Sequence, residues 1–148
     1  MTWDRDDKER TAFHEAGHAV VAWSFGVIVG CIHLDLKNES GHAMIAPATH
    51  LKPIEQIANW YAGREAEKAF KFPANPHKSK DDLFRVGQIL DEHTPGETRE
   101  RQDLRERGRA CAEACLREHE SKVLLVVRHL MQHHYVDRVA FEAMMQEP

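Results

Sequence analysis

Cysteine is scarce in this chain, and its pattern excludes a disulfide scaffold. The 148 residues include only three cysteines, an odd number, and no two of them form a Cys-x-x-Cys pair. A small secreted domain stapled by disulfides would need an even set of cysteines at regular spacings. The scarcity is typical of proteins from a reducing compartment, and we expect a cytoplasmic protein.

Long hydrophobic runs are also lacking. The most apolar stretch covers residues 19–32, which is too short to span a bilayer and contains two glycines. The opening residues, Met-Thr-Trp-Asp-Arg-Asp-Asp, do not lead from a basic segment into an apolar one, as a signal peptide would. We therefore expect neither a signal peptide nor a membrane anchor.

No strong excess of one charge is present. Twenty basic and 24 acidic residues give a formal net charge of −4, so nothing indicates a nucleic acid or an anionic membrane as a partner. Internal repeats, low-complexity tracts and glycine-rich phosphate loops are missing as well. The length and the ordinary balance of 42% hydrophobic and 30% charged residues predict one domain over residues 1–148.

The most informative segment that is present reads His14-Glu15-Ala16-Gly17-His18. Positions four apart share a face of a helix, so His14 and His18 can direct their imidazoles to one point. Glu15 lies beside that point, where a carboxylate can accept a proton from water. This pattern favours zinc, which acts as a Lewis acid and makes hydroxide available at neutral pH.

The sequence around these histidines predicts a partly buried helix. Apolar side chains recur at helical spacing through Phe13, Ala16, Val20 and Trp23, which predicts a helix from about Asp7 to Phe25 that stops at Gly26. A histidine pair that points into such a region requires a physical reason. A bound metal provides one.

The rest of the chain predicts an α+β fold that is mostly α, with a small β-hairpin or short sheet. Residues 31–36 alternate, with Ile32, Leu34 and Leu36 on one face, and residues 42–46 are predicted to return after a turn. The predicted helices begin at Pro53 and Asp81 and cover 97–120, 121–131 and 139–145, with a loop over 72–80.

A third zinc ligand must come from outside this first helix. Catalytic zinc usually has three protein ligands and one open position. Val21 and Ser24 stand where the longer metzincin motif has its glycine and third histidine. A downstream carboxylate is therefore needed.

Residues 13–22, Phe-His-Glu-Ala-Gly-His-Ala-Val-Val-Ala, resemble the active-site helix of FtsH-type zinc peptidases, the proteolytic part of membrane-anchored AAA proteases. Residues 62–67, Ala-Gly-Arg-Glu-Ala-Glu, are similar to the Gly-Gly-Arg-Ala-Ala-Glu helix of that family. Residues 79–83, Ser-Lys-Asp-Asp-Leu, are similar to its Ser-Asn-Asp-Leu segment, and residues 107–141 to its closing helices. The resemblance thus extends over most of the chain.

The resemblance implies a helical, zincin-like peptidase domain with one zinc per chain, bound by His14, His18 and Asp82, and with Glu15 as the general base. Glu67 and Asp81 are the competing candidates for the third ligand. If Glu67 is not a ligand, it orients one of the two histidines by hydrogen bonding. An alternative explanation for Asp81 and Asp82 is that their negative charges stabilise the first turn of a helix.

The chain departs from the family pattern at three motif positions, where it has Ala62, Glu65 and Asp81. It also contains no Walker motif or AAA module and no transmembrane segment. We therefore expect hydrolysis of peptides, flexible tails or unfolded protein without ATP. A separate ATPase is a possible partner.

The predicted second strand is a candidate binding edge for an extended peptide substrate. Its residues are His42, Ala43, Met44, Ile45 and Ala46. The alternative is a structural hairpin whose edges are covered. For the whole chain, the alternative function is a zinc-binding regulatory or adaptor module without significant peptidase activity.

Overall fold

The computed structural model describes residues 2–73 and 79–148, which form an α+β fold that is mostly helical. This confirms the predicted fold class. The predicted loop over 72–80 lies partly outside the described residues. The elements are α1 (Arg5–Ser24), β1 (Val29–Asp35), β2 (Ser40–Ile45), α2 (Pro53–Ala69), α3 (Lys80–His93), α4 (Arg99–Glu118), α5 (Glu120–His133), β3 (Tyr135–Asp137) and α6 (Arg138–Gln146).

Helix α1 is the central element of the main hydrophobic core. The Asp4 side chain caps its N-terminus by accepting a hydrogen bond from the backbone N–H of Asp7 at 3.1 Å. From Thr11 to Ala22 every residue except Glu15 is buried. The chain then reverses at Gly26, where φ is +79°, a conformation that glycine adopts without strain.

Helix α2 crosses α1 at very close range. A Cβ atom on Gly17 would lie 2.5 Å from the Cβ of Ala66 and 2.8 Å from the carbonyl oxygen of Ala62. Only glycine at position 17 allows the two backbones to approach this closely. The crossing places the inner face of α2 directly against the two histidines of α1.

The sheet has the order β2-β1-β3 and is antiparallel throughout. Ile32 and Leu34 of β1 are buried in the main core, as predicted. The prediction for Leu36 is wrong, because this residue lies in the turn after β1 and is 47% exposed. The Asp35 carboxylate accepts hydrogen bonds from the backbone N–H groups two and three residues later. These bonds start the turn directly after Asp35.

The third strand comes from a distant part of the chain. After α5, His134 adopts a left-handed conformation with φ 65°, and its carbonyl oxygen accepts a hydrogen bond from the Leu34 N–H at 2.8 Å. Strand β3 therefore covers one edge of β1, while β2 lies on the other side and forms an edge of the sheet.

Helices α2, α3 and α4 share a second, smaller core. Its buried apolar members include Ile57, Val86, Leu90 and Ala112. The start of α3 lies near the middle of α1, where Asp82 contacts His14 and His18. Among the residues that the structure describes, none of the helices combines the length and the apolar character needed to cross a lipid bilayer.

Candidate metal centre and cleft

Three side chains from two helices converge on one point. His14 Nε2 and His18 Nε2 are 3.1 Å apart, and Asp82 Oδ2 lies 3.0 Å from the first and 2.9 Å from the second. Over residues 2–73 and 79–148, no other group of three His, Cys, Asp or Glu side chains brings its ligand atoms together in this way. The three residues can hold a metal ion.

The arrangement fits zinc in both its chemistry and its dimensions. Two imidazole nitrogens and one carboxylate oxygen form a donor set that catalytic zinc sites use. A tetrahedral zinc with bonds of about 2.0–2.1 Å would hold its ligand atoms about 3.3 Å apart. The observed separations of 2.9–3.1 Å are only slightly shorter.

Hydrogen bonds determine which nitrogen of each histidine faces this point. His14 Nδ1–H donates to Glu67 Oε2 at 2.7 Å, and His18 Nδ1–H donates to the carbonyl oxygen of Asn59 at 2.9 Å. Both partners are acceptors only, so each Nδ1 must carry a proton. The two Nε2 atoms are thereby directed to the metal point.

Gly63 provides the space in which the imidazoles meet. A Cβ atom at this position would lie 2.5 Å from His14 Nε2 and 2.6 Å from His18 Nε2. No side chain larger than hydrogen fits there without moving the two rings. The glycine in the middle of α2 thus belongs to the site, although it offers no ligand atom.

The structure separates the three carboxylates that the sequence left as candidate ligands. Asp82, in the first turn of α3, has a side chain only 15% exposed and is the one that joins the two Nε2 atoms. Asp81 is exposed and contributes only to the wall of the neighbouring cleft. Glu67 is buried behind His14 and contacts its Nδ1 atom, which is the orienting arrangement considered from the sequence.

His14 and Asp82 each shift the pKa of the other. Burial lowers the pKa of His14, but the hydrogen bonds with Asp82 and Glu67 outweigh it and raise this pKa from 6.5 to about 10. Burial raises the pKa of Asp82, but its hydrogen bonds with His14 and His18 bring this pKa well below its usual range. A proton on His14 therefore balances the Asp82 carboxylate.

Glu15 and a long cleft adjoin the three ligand residues. The cleft has a volume of about 650 Å³, and Glu15 is half-buried in its wall. Residues 41–49, which include most of β2, line the same cleft, and α2 adds Gln56, Asn59 and Trp60. A carboxylate that is not a ligand thus lies where the metal point opens to a cleft.

Strand β2 presents an unpaired edge to this cleft. The Leu34 N–H donates to the carbonyl oxygen of His134, the residue just before β3. The main chain of Leu34 therefore faces the β3 side, and that of His33 faces β2. His33 pairs with His42, and the main-chain groups of Ala43 therefore point away from β1. Within the described part of the chain no strand pairs with this side of β2, so the hairpin has one covered and one open edge.

Models of known protein families give no match to the chain, and neither do curated proteins.

Sequence reasoning missed three residues of this centre. Asn59 acts through its backbone carbonyl, which no residue pattern reveals. Gly63 was recognised only as part of a motif, without a role. Arg10, whose Nε atom lies 3.5 Å from Glu67 Oε1, is one helical turn before His14, a spacing that could have marked it.

Proposed function

We propose that this chain is a zinc-dependent metallopeptidase with a catalytic centre like that of FtsH-type peptidases. The observation that carries the proposal is the convergence of His14, His18 and Asp82 beside Glu15 at the wall of an open cleft. A purely structural site would have no need of the extra carboxylate, and catalytic zinc requires an open position. One zinc per chain would be bound by the three ligand residues.

Bound zinc would polarise the carbonyl of the scissile peptide and make water reactive at neutral pH. Glu15 accepts a proton from the attacking water as the new carbon–oxygen bond forms. It then donates that proton to the leaving amine nitrogen as the carbon–nitrogen bond breaks. The Glu67 carboxylate and the Asn59 carbonyl hold the imidazoles in place throughout.

The substrate in this proposal is an extended, unfolded peptide segment. The outward-facing N–H and C=O groups of Ala43 and its alternate neighbours can add a substrate strand to β2. Folded proteins expose such segments only by local opening, and no nucleotide-binding loop is present to drive it. The proposed reaction does not require ATP. It takes place in the cytoplasm, and a separate ATPase is a possible partner.

The first experiment measures hydrolysis of an unfolded protein and of a peptide library by the zinc-loaded chain. We expect cleavage that a chelator removes and zinc restores. Glu15→Gln should keep the zinc and lower the rate by about 10²–10⁴-fold, as expected for loss of a general base. Glu9→Gln, the same substitution on the same helix, is the control and should keep the activity.

The outcomes of this experiment have distinct meanings. Equal activity of Glu15→Gln and the unchanged chain would remove the proposed mechanism. Zinc binding without any hydrolysis would instead support the regulatory or adaptor module that the sequence left as an alternative. Efficient digestion of a stable folded protein would contradict the proposed substrate class.

A second experiment tests the role of the β2 edge. Antiparallel pairing alternates along a strand, so only every second substrate amide faces β2. We expect N-methylation of successive amides in a cleaved peptide to raise KM with a period of two residues. Methylation effects without this period would show that the substrate does not pair with this strand.

A further inference from the structure

Arg10 lies behind the metal centre, on the same stripe of α1 as the two histidines. It precedes His14 by one turn, as His14 precedes His18. Its Nε atom is 3.5 Å from Glu67 Oε1, and the two side chains are only 17% and 7% exposed. Arg10 is thus an ion-pair partner of the carboxylate that contacts His14.

The two oxygens of Glu67 have different partners. Oε2 accepts the hydrogen bond from His14 Nδ1 at 2.7 Å, while Oε1 faces Arg10. A carboxylate bound on one oxygen alone can rotate about its terminal torsion, which is broad for glutamate. A cation at the second oxygen restricts that rotation.

The surroundings of Arg10 argue that its charge has a role. Within the described residues its Nε atom is buried and donates no hydrogen bond. Burying part of a guanidinium is unfavourable unless a counter-charge compensates, and an apolar side chain would fill the same space at lower cost. The nearby Glu67 carboxylate supplies that counter-charge.

We propose that Arg10 is a positioning residue for the metal centre, which acts by holding Glu67 against His14. This inference rests on the proposed function only in so far as His14 binds a metal. Loss of Arg10 lets the carboxylate turn away, so the His14 ring is less well fixed. Partners that orient a ligand histidine are worth about 10–100-fold in metal affinity. For Arg10, which acts one contact further out, we expect a loss of up to about tenfold.

The experiment compares four variants of the full chain with the unchanged protein. They are Arg10→Met, Arg10→Lys, Glu67→Gln and the double variant Arg10→Met with Glu67→Gln. The readouts are Zn²⁺ affinity by competition with a chelator, and Co²⁺ affinity with the visible absorption spectrum of bound Co²⁺. Arg5→Met, an exposed residue at the start of the same helix, controls for the lost charge.

We expect Arg10→Met to weaken Zn²⁺ and Co²⁺ binding and to change the Co²⁺ spectrum, with partial recovery in Arg10→Lys. Arg5→Met should remain within about twofold, because it acts only through screened long-range charge. In the Glu67→Gln background, Arg10→Met should have little further effect, since its partner is already altered.

Two results would overturn the inference. One is unchanged metal affinity in Arg10→Met with a helical content equal to that of the unchanged chain. The other is a full additive loss in the double variant, which would show that Arg10 does not act through Glu67. If Arg10→Met does not fold, Arg10→Lys decides, because a displaced charge should still change the Co²⁺ spectrum. Metal binding without peptide hydrolysis would refute the proposed function and leave this inference intact.

Discussion

Two histidine pairs with identical spacing occur on helices of this protein. On α1, His14 and His18 have ring centroids 4.8 Å apart, and on α5, His129 and His133 have ring centroids 4.6 Å apart. Helix geometry thus brings both pairs to nearly the same separation. Spacing alone does not distinguish them.

Their surroundings differ completely. His14 and His18 are each 8% exposed, and neighbouring elements provide a carboxylate for the metal point and an acceptor for each Nδ1. His133 is exposed, and no third ligand atom joins the α5 pair within the described residues. The comparison shows that a helix can align two imidazoles by itself, but other elements must supply burial, acceptors and the third ligand.

The largest effect should come from removing one histidine from each pair. His18→Asn should lower zinc affinity by more than about 100-fold, because loss of a ligand exceeds the 10–100-fold cost of losing an orienting partner. His133→Asn should leave the affinity of the tight site unchanged. Competition with a chelator measures both. Equal losses in the two variants would remove the distinction between the pairs.

The third ligand can be tested with two adjacent aspartates. Asp82→Ala should remove tight zinc binding, because among residues 2–73 and 79–148 only this carboxylate joins the two imidazoles at the metal point. Asp81→Ala should retain it, since this carboxylate is exposed at the cleft. Metal content after dialysis checks the result. Full retention in Asp82→Ala would require another ligand, such as Glu67.

Alanine substitution of two glycines tests whether the two imidazoles need the space that a glycine leaves. Gly63→Ala should displace the imidazoles and destabilise the metal-free protein by about 1–3 kcal/mol, the usual cost of overpacking. Gly87 lies inside α3, and an added Cβ meets no described atom within 4 Å. Gly87→Ala should stabilise the protein by up to about 1 kcal/mol. Thermal unfolding gives both values, and stabilisation by Gly63→Ala would contradict the predicted clash.

Zinc binding should also depend on pH. The raised pKa of His14, about 10, means that zinc must displace a proton from this imidazole at neutral pH. Apparent zinc affinity should therefore rise by about tenfold per pH unit between roughly 7 and 10. Calorimetry in two buffers of different ionisation enthalpy should detect the released proton. A flat affinity over this range would contradict the expectation.

The same pKa shifts make the free energy of unfolding of the protein without zinc depend on pH. Since the pKa of His14 is raised, its contribution to stability is complete below the unfolded value of 6.5 and disappears as pH rises through about 10. The pKa of Asp82 is lowered, so its contribution is present above 3.8 and is lost in acid. Chemical unfolding across this range checks both signs.

Local patterns predicted most of the secondary structure because they depend on neighbours in the chain. The helical spacing of apolar residues predicted α1 to within two residues at its start and one at its end. The edge of the hairpin was less predictable, since Leu36 continues the alternation of β1 but lies in the turn. Whether a strand edge is open depends on β3, which follows about 100 positions later and has no local signal.

The sequence by itself determined that two histidines and a glutamate share one turn of a buried helix. Helical spacing ensures this geometry wherever the helix packs. Tertiary structure alone decided that Asp82 lies at the metal point, that Glu67 lies behind His14, and that the Asn59 carbonyl faces His18. These contacts join residues 41–68 positions apart, and only the packing of α2 against α1 and of α3 against α2 brings them together.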